Sequence, residues 1–115
     1  MADKTRLLFV CTANQQRSPT AESLFSNSEH YEARSCGIHA LSTVPCESDL
    51  IKWADVIFCM EDIHRQALLR QLPEAQGKKI VVLNIPDVYV RNDPRLIMEL
   101  CKRLGEHLDY PLIDE

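Results

Sequence analysis

The sequence predicts an α/β fold of about four parallel strands alternating with helices. Three observations carry that prediction. Apolar residues run consecutively rather than alternately in Leu7-Leu8-Phe9-Val10, Val56-Ile57-Phe58-Cys59 and Ile80-Val81-Val82-Leu83, as expected of strands covered on both faces. Between them lie segments with apolar residues at three- and four-residue steps. Helix-start signals, Ser18-Pro19 and Asn92-Asp93-Pro94, follow shortly after the first and last of these runs.

In chain order, residues 5–10 read as the first strand and residues 18–26 as a helix with Ala21, Leu24 and Phe25 on one face. Ser18 is placed to cap that helix, Pro19 needs no amide donor in its first turn, and Glu22 suits the positive end of its dipole. Residues 31–36 alternate partly and stop at Gly37, which predicts a second, shorter strand. Residues 38–49 carry turn residues and a proline, predicting loop, with a short helix at 48–53. Residues 55–60 form the third strand, and 61–71 a helix in which Ile63, Ala67, Leu68 and Leu72 share a face and Pro73 lies beyond the end. Arg65 and Arg70 fall on its polar side. Residues 78–85 form the fourth strand, which delivers Pro86-Asp87 to the same sheet edge as Cys11. A closing helix runs from Pro94 to about Leu108, with Leu96, Ile97, Leu100, Leu104 and Leu108 in phase, and a loose tail is expected from Asp109 onward.

Composition sets limits. The 115 residues suit one domain, 1–115, with a single core. Hydrophobic residues at 45% and charged residues at 26% indicate a folded soluble chain, and no apolar run reaches membrane-spanning length. The first residues do not read as a signal peptide, so a cytoplasmic location is the expectation. A formal charge of −4 argues against general nucleic-acid binding. The five cysteines lack Cys-x-x-Cys spacing, which favours reduced thiols over a disulfide frame or a zinc site. His30, His39, His64 and His107 have no ligand spacing either, and surface positions and no metal are expected.

The chemistry gathers in Cys11-Thr12-Ala13-Asn14-Gln15-Gln16-Arg17-Ser18, a loop after the first strand's C-terminal end, where open α/β sheets bind ligands. Backbone amides leading into a helix attract an oxyanion, and Arg17 offers a fork for two of its oxygens. The same field favours the anionic, nucleophilic form of a strand-end sulfur. Spacing alone does not single out this loop, because Cys59 and Arg65 repeat the Cys-five-Arg separation around Met-Glu-Asp-Ile-His. That second stretch holds two carboxylates that repel phosphate, whereas Thr12 to Gln16 holds no charge. Asn14 also tolerates the left-handed backbone that turns amides inward. Cys59 reads as core packing, and the alternative for Cys11 itself is a small buried hydrophobe.

The stretch Val10-Cys-Thr-Ala-Asn-Gln-Gln-Arg-Ser-Pro-Thr-Ala-Glu22 resembles the phosphate loop of the low-molecular-weight protein tyrosine phosphatases. Further likenesses follow in order: Ala33-Arg-Ser-Cys-Gly-Ile-His-Ala40 resembles the family's second strand and turn, Trp53-Ala-Asp-Val-Ile-Phe-Cys-Met-Glu61 its third strand, and Ile85-Pro-Asp-Val-Tyr89 its Asp-Pro-Tyr segment. The resemblance implies a three-layer αβα sandwich with strand order 2-1-3-4. It implies a phosphatase for phosphotyrosine or small aryl phosphate esters, working through a phosphocysteine, with inorganic phosphate as product and no cofactor. Cys11 would be the nucleophile, Arg17 the oxyanion clamp, Ser18 the partner of the sulfur and Thr12 to Gln16 the cradle. Asp87, or alternatively Asp93, would be the general acid, and Tyr89 would wall the cleft or else cover the sheet edge.

Four departures bear on this. Val88 stands where the family has proline after the acid, whereas Asp93 has that proline but also the look of a helix cap. Gln16 stands where the family often has a second cysteine, so no vicinal disulfide can protect the nucleophile. Ala13 replaces a glycine and would be strained at positive φ. The family's longer insert after the second strand is reduced to about a dozen residues, which predicts a shallower or differently walled cleft. An arsenate reductase on this scaffold would need two relay cysteines near the site, and Cys59 and Cys101 fall in a strand and a helix instead. A phosphocarrier or a non-catalytic anion-binding module are the remaining alternatives.

Overall fold

A computed structural model of the chain describes residues 3–108; the tail expected from Asp109 onward lies outside the described residues. The elements are β1 (Thr5–Cys11), α1 (Arg17–Ser23), β2 (Tyr31–Gly37), α2 (Ser48–Trp53), β3 (Val56–Cys59), α3 (Asp62–Gln71), a 3-10 turn (Pro73–Gly77), β4 (Lys79–Val82) and α4 (Pro94–Leu104). All three strand pairings are parallel and the order is β2-β1-β3-β4, the order that the resemblance implies.

Strand β1 explains the layering. Its side chains alternate between faces, and both faces are covered. Leu7 and Phe9 join Ala21, Phe25, Leu96, Leu100 and Leu104 from α1, its following turn and α4. Leu8 and Val10 join Ile51, Ala54, Leu68 and Ala75 from the α2 and α3 side. This is why the run carries no alternation. Phe9 lies between Phe25 and Phe58, at centroid distances of 5.7 and 5.5 Å. Truncating that ring to alanine should cost about 3–5 kcal/mol.

Several local expectations change. Strand β4 stops at Val82 rather than at residue 85 because Asn84 takes a left-handed φ of 59°, although Leu83 and Ile85 still donate to the carbonyls of Cys59 and Met60. In α3 the apolar phase is carried by His64, Ala67 and Leu68, all buried, while Ile63 is 56% exposed. The surface position expected for His64 is therefore wrong: a capping bond at the head of α3 supplies the polar partner that its burial needs.

The expectation of reduced thiols throughout also fails at one pair, since Cys36 and Cys46 form a disulfide with a Cα separation of 5.0 Å. The short connector after β2 folds back on that strand's end. Gly37 donates to Val44, Cys46 donates to the Gly37 carbonyl, and Gly37 bridges to Pro45. This doubling-back brings the two sulfurs together. Cys11, Cys59 and Cys101 remain free.

Candidate active site

Cys11 ends β1 and is almost wholly buried, and the chain then turns through residues 12–16 before α1 begins at Arg17. Asn14 is left-handed, with φ 56°, whereas Ala13 is not among the positive-φ residues, so the strain expected there is absent. The side chain of Asn14 points inward: its amide donates to Ser18 Oγ and to Ser35 Oγ, both at 2.9 Å, and Ser35 in turn donates to Glu22 at 2.6 Å. Glu22 thus anchors this network rather than acting in the first turn of α1.

Ser18 does not cap α1. Gln16 holds the cap position without a side-chain capping bond, and Ser18 Oγ lies 2.9 Å from Cys11 Sγ instead. Because Asn14 already donates to that oxygen, the hydroxyl proton is left for the sulfur or for the more distant Cys36 carbonyl at 3.5 Å. A hydroxyl therefore stands beside the sulfur in position to donate to it.

Backbone bonds brace the loop from outside. Ile38, His39 and Thr43 donate to the carbonyls of Cys11, Thr12 and Ala13 at 3.0, 3.0 and 3.2 Å, and Ser42 Oγ also reaches the Thr12 carbonyl at 3.2 Å. In a trans peptide the N–H opposes the C=O. The amides of Thr12, Ala13 and Asn14 are therefore directed away from the brace. The approach is close enough that a Cβ on Gly37 would stand 2.8 Å from the Asn14 nitrogen, which accounts for a glycine at that position. The short connector thus acts as a brace for the loop.

Arg17 is buried, and its guanidinium is held by the segments that follow β3 and β4. Nη1 donates to Glu61 and, at 2.8 Å, to the Ile85 carbonyl, while Nε faces Asp87 at 3.8 Å. A cleft of about 210 Å³ opens here, lined by Cys11, Thr12, Ala13, Gln15, Gln16, Arg17 and Asp87. Gln16 also accepts from the Arg91 amide at 2.6 Å, and Thr20 from the Asn92 amide at 2.9 Å, so the head of α1 is tied to the segment that carries Asp87.

The two aspartates have separate surroundings. Asp87 lines the cleft and is 63% exposed. Asp93 caps α4 through the Arg95 amide and pairs with the Arg95 side chain at 2.9 Å, and these bonds hold its carboxyl below the usual carboxylate range. Tyr89 is not among the cleft-lining residues. It packs on the core edge with the Arg95 guanidinium 5.7 Å from its ring centroid.

Glu61, His64, Ser35 and Glu22 are the site neighbours that sequence reasoning passed over. His64 had a readable signal, because His64, Ala67 and Leu68 stand at helical steps directly after a buried strand. Glu61 had none, since its contact with Arg17 spans 44 residues. Among the described residues no cluster of His, Cys, Asp and Glu is arranged to hold a metal.

No family model matches the chain, and no curated protein does. Solved structures do. Wzb from Escherichia coli K30, a tyrosine phosphatase, is 25% identical over 93% of this chain and 100% of its own, with a TM-score of 0.70. SP-PTP, a low-molecular-weight protein tyrosine phosphatase from Streptococcus pyogenes, is 16% identical over 91% and 94%, with a TM-score of 0.72. The YwlE arginine phosphatase from Geobacillus stearothermophilus is 23% identical over 92% and 99%, with a TM-score of 0.62. The chain, with its four-stranded sheet and its cysteine at the end of the first strand, has the fold of the low-molecular-weight protein tyrosine phosphatases.

Proposed function

We propose that the chain hydrolyses phosphate monoesters, phosphotyrosine or small aryl phosphates, through a phosphocysteine on Cys11. The observation that carries this reading is the meeting, around one cleft, of a strand-end sulfur 2.9 Å from a hydroxyl, a short uncharged turn and a buried guanidinium. Wzb from Escherichia coli K30 was solved in complex with phosphate and Vibrio vulnificus Wzb with benzylphosphonate. Both ligands carry the tetrahedral oxyanion that such a cradle fits.

In the first step the Cys11 thiolate attacks phosphorus, the bond to the ester oxygen breaks, and the Asp87 carboxyl protonates the departing phenol. In the second, water attacks the phosphocysteine, Asp87 takes its proton, and the thiolate leaves with inorganic phosphate released. The loop amides and Arg17 hold the equatorial oxygens, where charge is redistributed in the transition state. Ser18 stabilises the sulfur as nucleophile and as leaving group. Asp87 is preferred to Asp93 as the acid because it faces the cleft and Asp93 is occupied at a helix start.

The test is turnover of p-nitrophenyl phosphate. Activity should be present in the natural chain and vanish in Cys11→Ser and Arg17→Ala; retention of full activity by Cys11→Ser would overturn the mechanism. Competition by phosphotyrosine peptide against phosphoarginine would then rank the substrates. A cytoplasmic site of action belongs to the same reading and is consistent with the lack, among the described residues, of a helix long and apolar enough to cross a membrane.

A further inference from the structure

One buried titratable group beside the cleft takes no part in the steps above. The imidazole of His64 is fully buried between the phosphate loop and the head of α3. Its Nδ1 accepts the Glu61 backbone N–H at 3.0 Å, and its Nε2 lies 3.0 Å from Thr12 Oγ1. A nitrogen that accepts an amide proton carries none of its own, so the ring proton sits on Nε2 and is donated to Thr12. Thr12 Oγ1 is thereby an acceptor toward His64, and its own hydroxyl proton must point elsewhere. Thr12 lines the cleft beside Cys11 and Arg17.

We propose that His64 fixes the Thr12 hydroxyl as a hydrogen-bond donor to the bound phosphoryl group, making Thr12 an additional oxyanion-binding side chain and His64 its positioning residue. This deepens the phosphatase reading and rests on it. The surroundings keep the ring in the required neutral form. Burial, with the Arg17 guanidinium nearby, pushes the His64 pKa down to about 4 against the opposing pull of Glu61 and Asp87. The same helix start grips the other side of the cradle, because the Glu61 carboxylate holds Arg17 Nη1. One neutral imidazole therefore sets the direction of a loop donor while bonding the amide of the residue that holds the arginine.

The experiment compares Thr12→Val, Thr12→Ser, His64→Asn and the double variant His64→Asn/Thr12→Val. An asparagine oxygen can stand in for Nδ1 and keep the Glu61 amide bonded, but its side chain does not reach Thr12. Thr12→Val and His64→Asn should each lower kcat on p-nitrophenyl phosphate by roughly ten- to a hundred-fold with a smaller change in KM, and weaken orthovanadate binding measured by calorimetry. Thr12→Ser should recover most of the loss. The double variant should fall no further than Thr12→Val alone, since both act through one hydroxyl. Nitrogen-15 spectra at neutral pH should show His64 protonated on Nε2.

A Thr12→Val chain with unchanged kcat and vanadate affinity, or a His64 protonated on Nδ1, would overturn the proposal while leaving the phosphatase reading intact. A natural chain that neither turns over the ester nor binds vanadate would end both.

Discussion

Two segments of this chain share a strand-end cysteine and a helical arginine at the same separation, and differ in the path between them. After Cys11 the chain turns sharply, reverses through a left-handed asparagine, and buries Arg17 with one edge toward a cleft. After Cys59 the chain enters α3 within three residues, so that Arg65 lies on the helix surface and bonds Asp62 one turn earlier at 2.7 Å. The two sulfurs differ as well. Cys11 meets a hydroxyl, whereas Cys59 is enclosed in the core and burial raises its pKa to about 12. What separates the proposed anion site from a piece of core is the backbone path between the two residues and the absence of carboxylates along it.

The comparison breaks most visibly by exchanging the sulfurs. Cys11→Ser should lower kcat/KM on p-nitrophenyl phosphate by roughly 10⁴-fold or more. Cys59→Ser should leave the kinetics alone and cost about 1–3 kcal/mol of stability, read from urea midpoints, because a hydroxyl is left in an apolar site. The arginines give the next contrast. Arg17→Lys loses a planar fork and should reduce kcat by roughly 10²- to 10³-fold, against less than about twofold for Arg65→Lys.

The aspartates sharpen the picture at the cleft edge. With a poor leaving group such as phenyl phosphate, Asp87→Asn should slow turnover by roughly a hundred-fold, and much less with p-nitrophenol as the leaving group. Asp93→Ala should instead cost about 1 kcal/mol in stability through loss of the α4 cap and leave leaving-group dependence unchanged. An equal loss in both variants would remove the distinction between them.

The most gradual effect, spread over a span of pH, is expected where the two regions touch. His64 has a pKa near 4 in the fold against 6.5 for an unperturbed imidazole, so between those values the unfolded chain binds more protons than the native one. Its contribution is complete above about pH 6.5 and is lost as pH falls toward 4, on the order of 3 kcal/mol in all. His64→Asn should flatten that part of the stability profile, measured by urea unfolding at successive pH values.

Much of this architecture is legible in the amino-acid sequence. The three unbroken apolar runs mark β1, β3 and β4, and Asp93-Pro94 marks the start of α4, because these signals are local and strong. The loop is readable for the same reason: strand end, uncharged turn, arginine and helix start are consecutive. The misses are non-local or compete with a second use of the same residue. Ser18 suits a cap by its position, but its other reading, as partner of the sulfur seven residues earlier, is the one its contact fits. Cys36 and Cys46 meet only because the connector doubles back on β2, and Glu61 reaches Arg17 only because β1 and β3 are neighbours.

The most direct test of the central claim is to trap the intermediate. Rapid mixing of the chain with p-nitrophenyl phosphate, an acid quench and mass spectrometry of the digest should find phosphate on the peptide containing Cys11, with a burst of p-nitrophenol approaching one per chain if the second step is the slower. Steady hydrolysis with no phosphate on Cys11 at any time point, or phosphate found on Cys59 instead, would contradict the account.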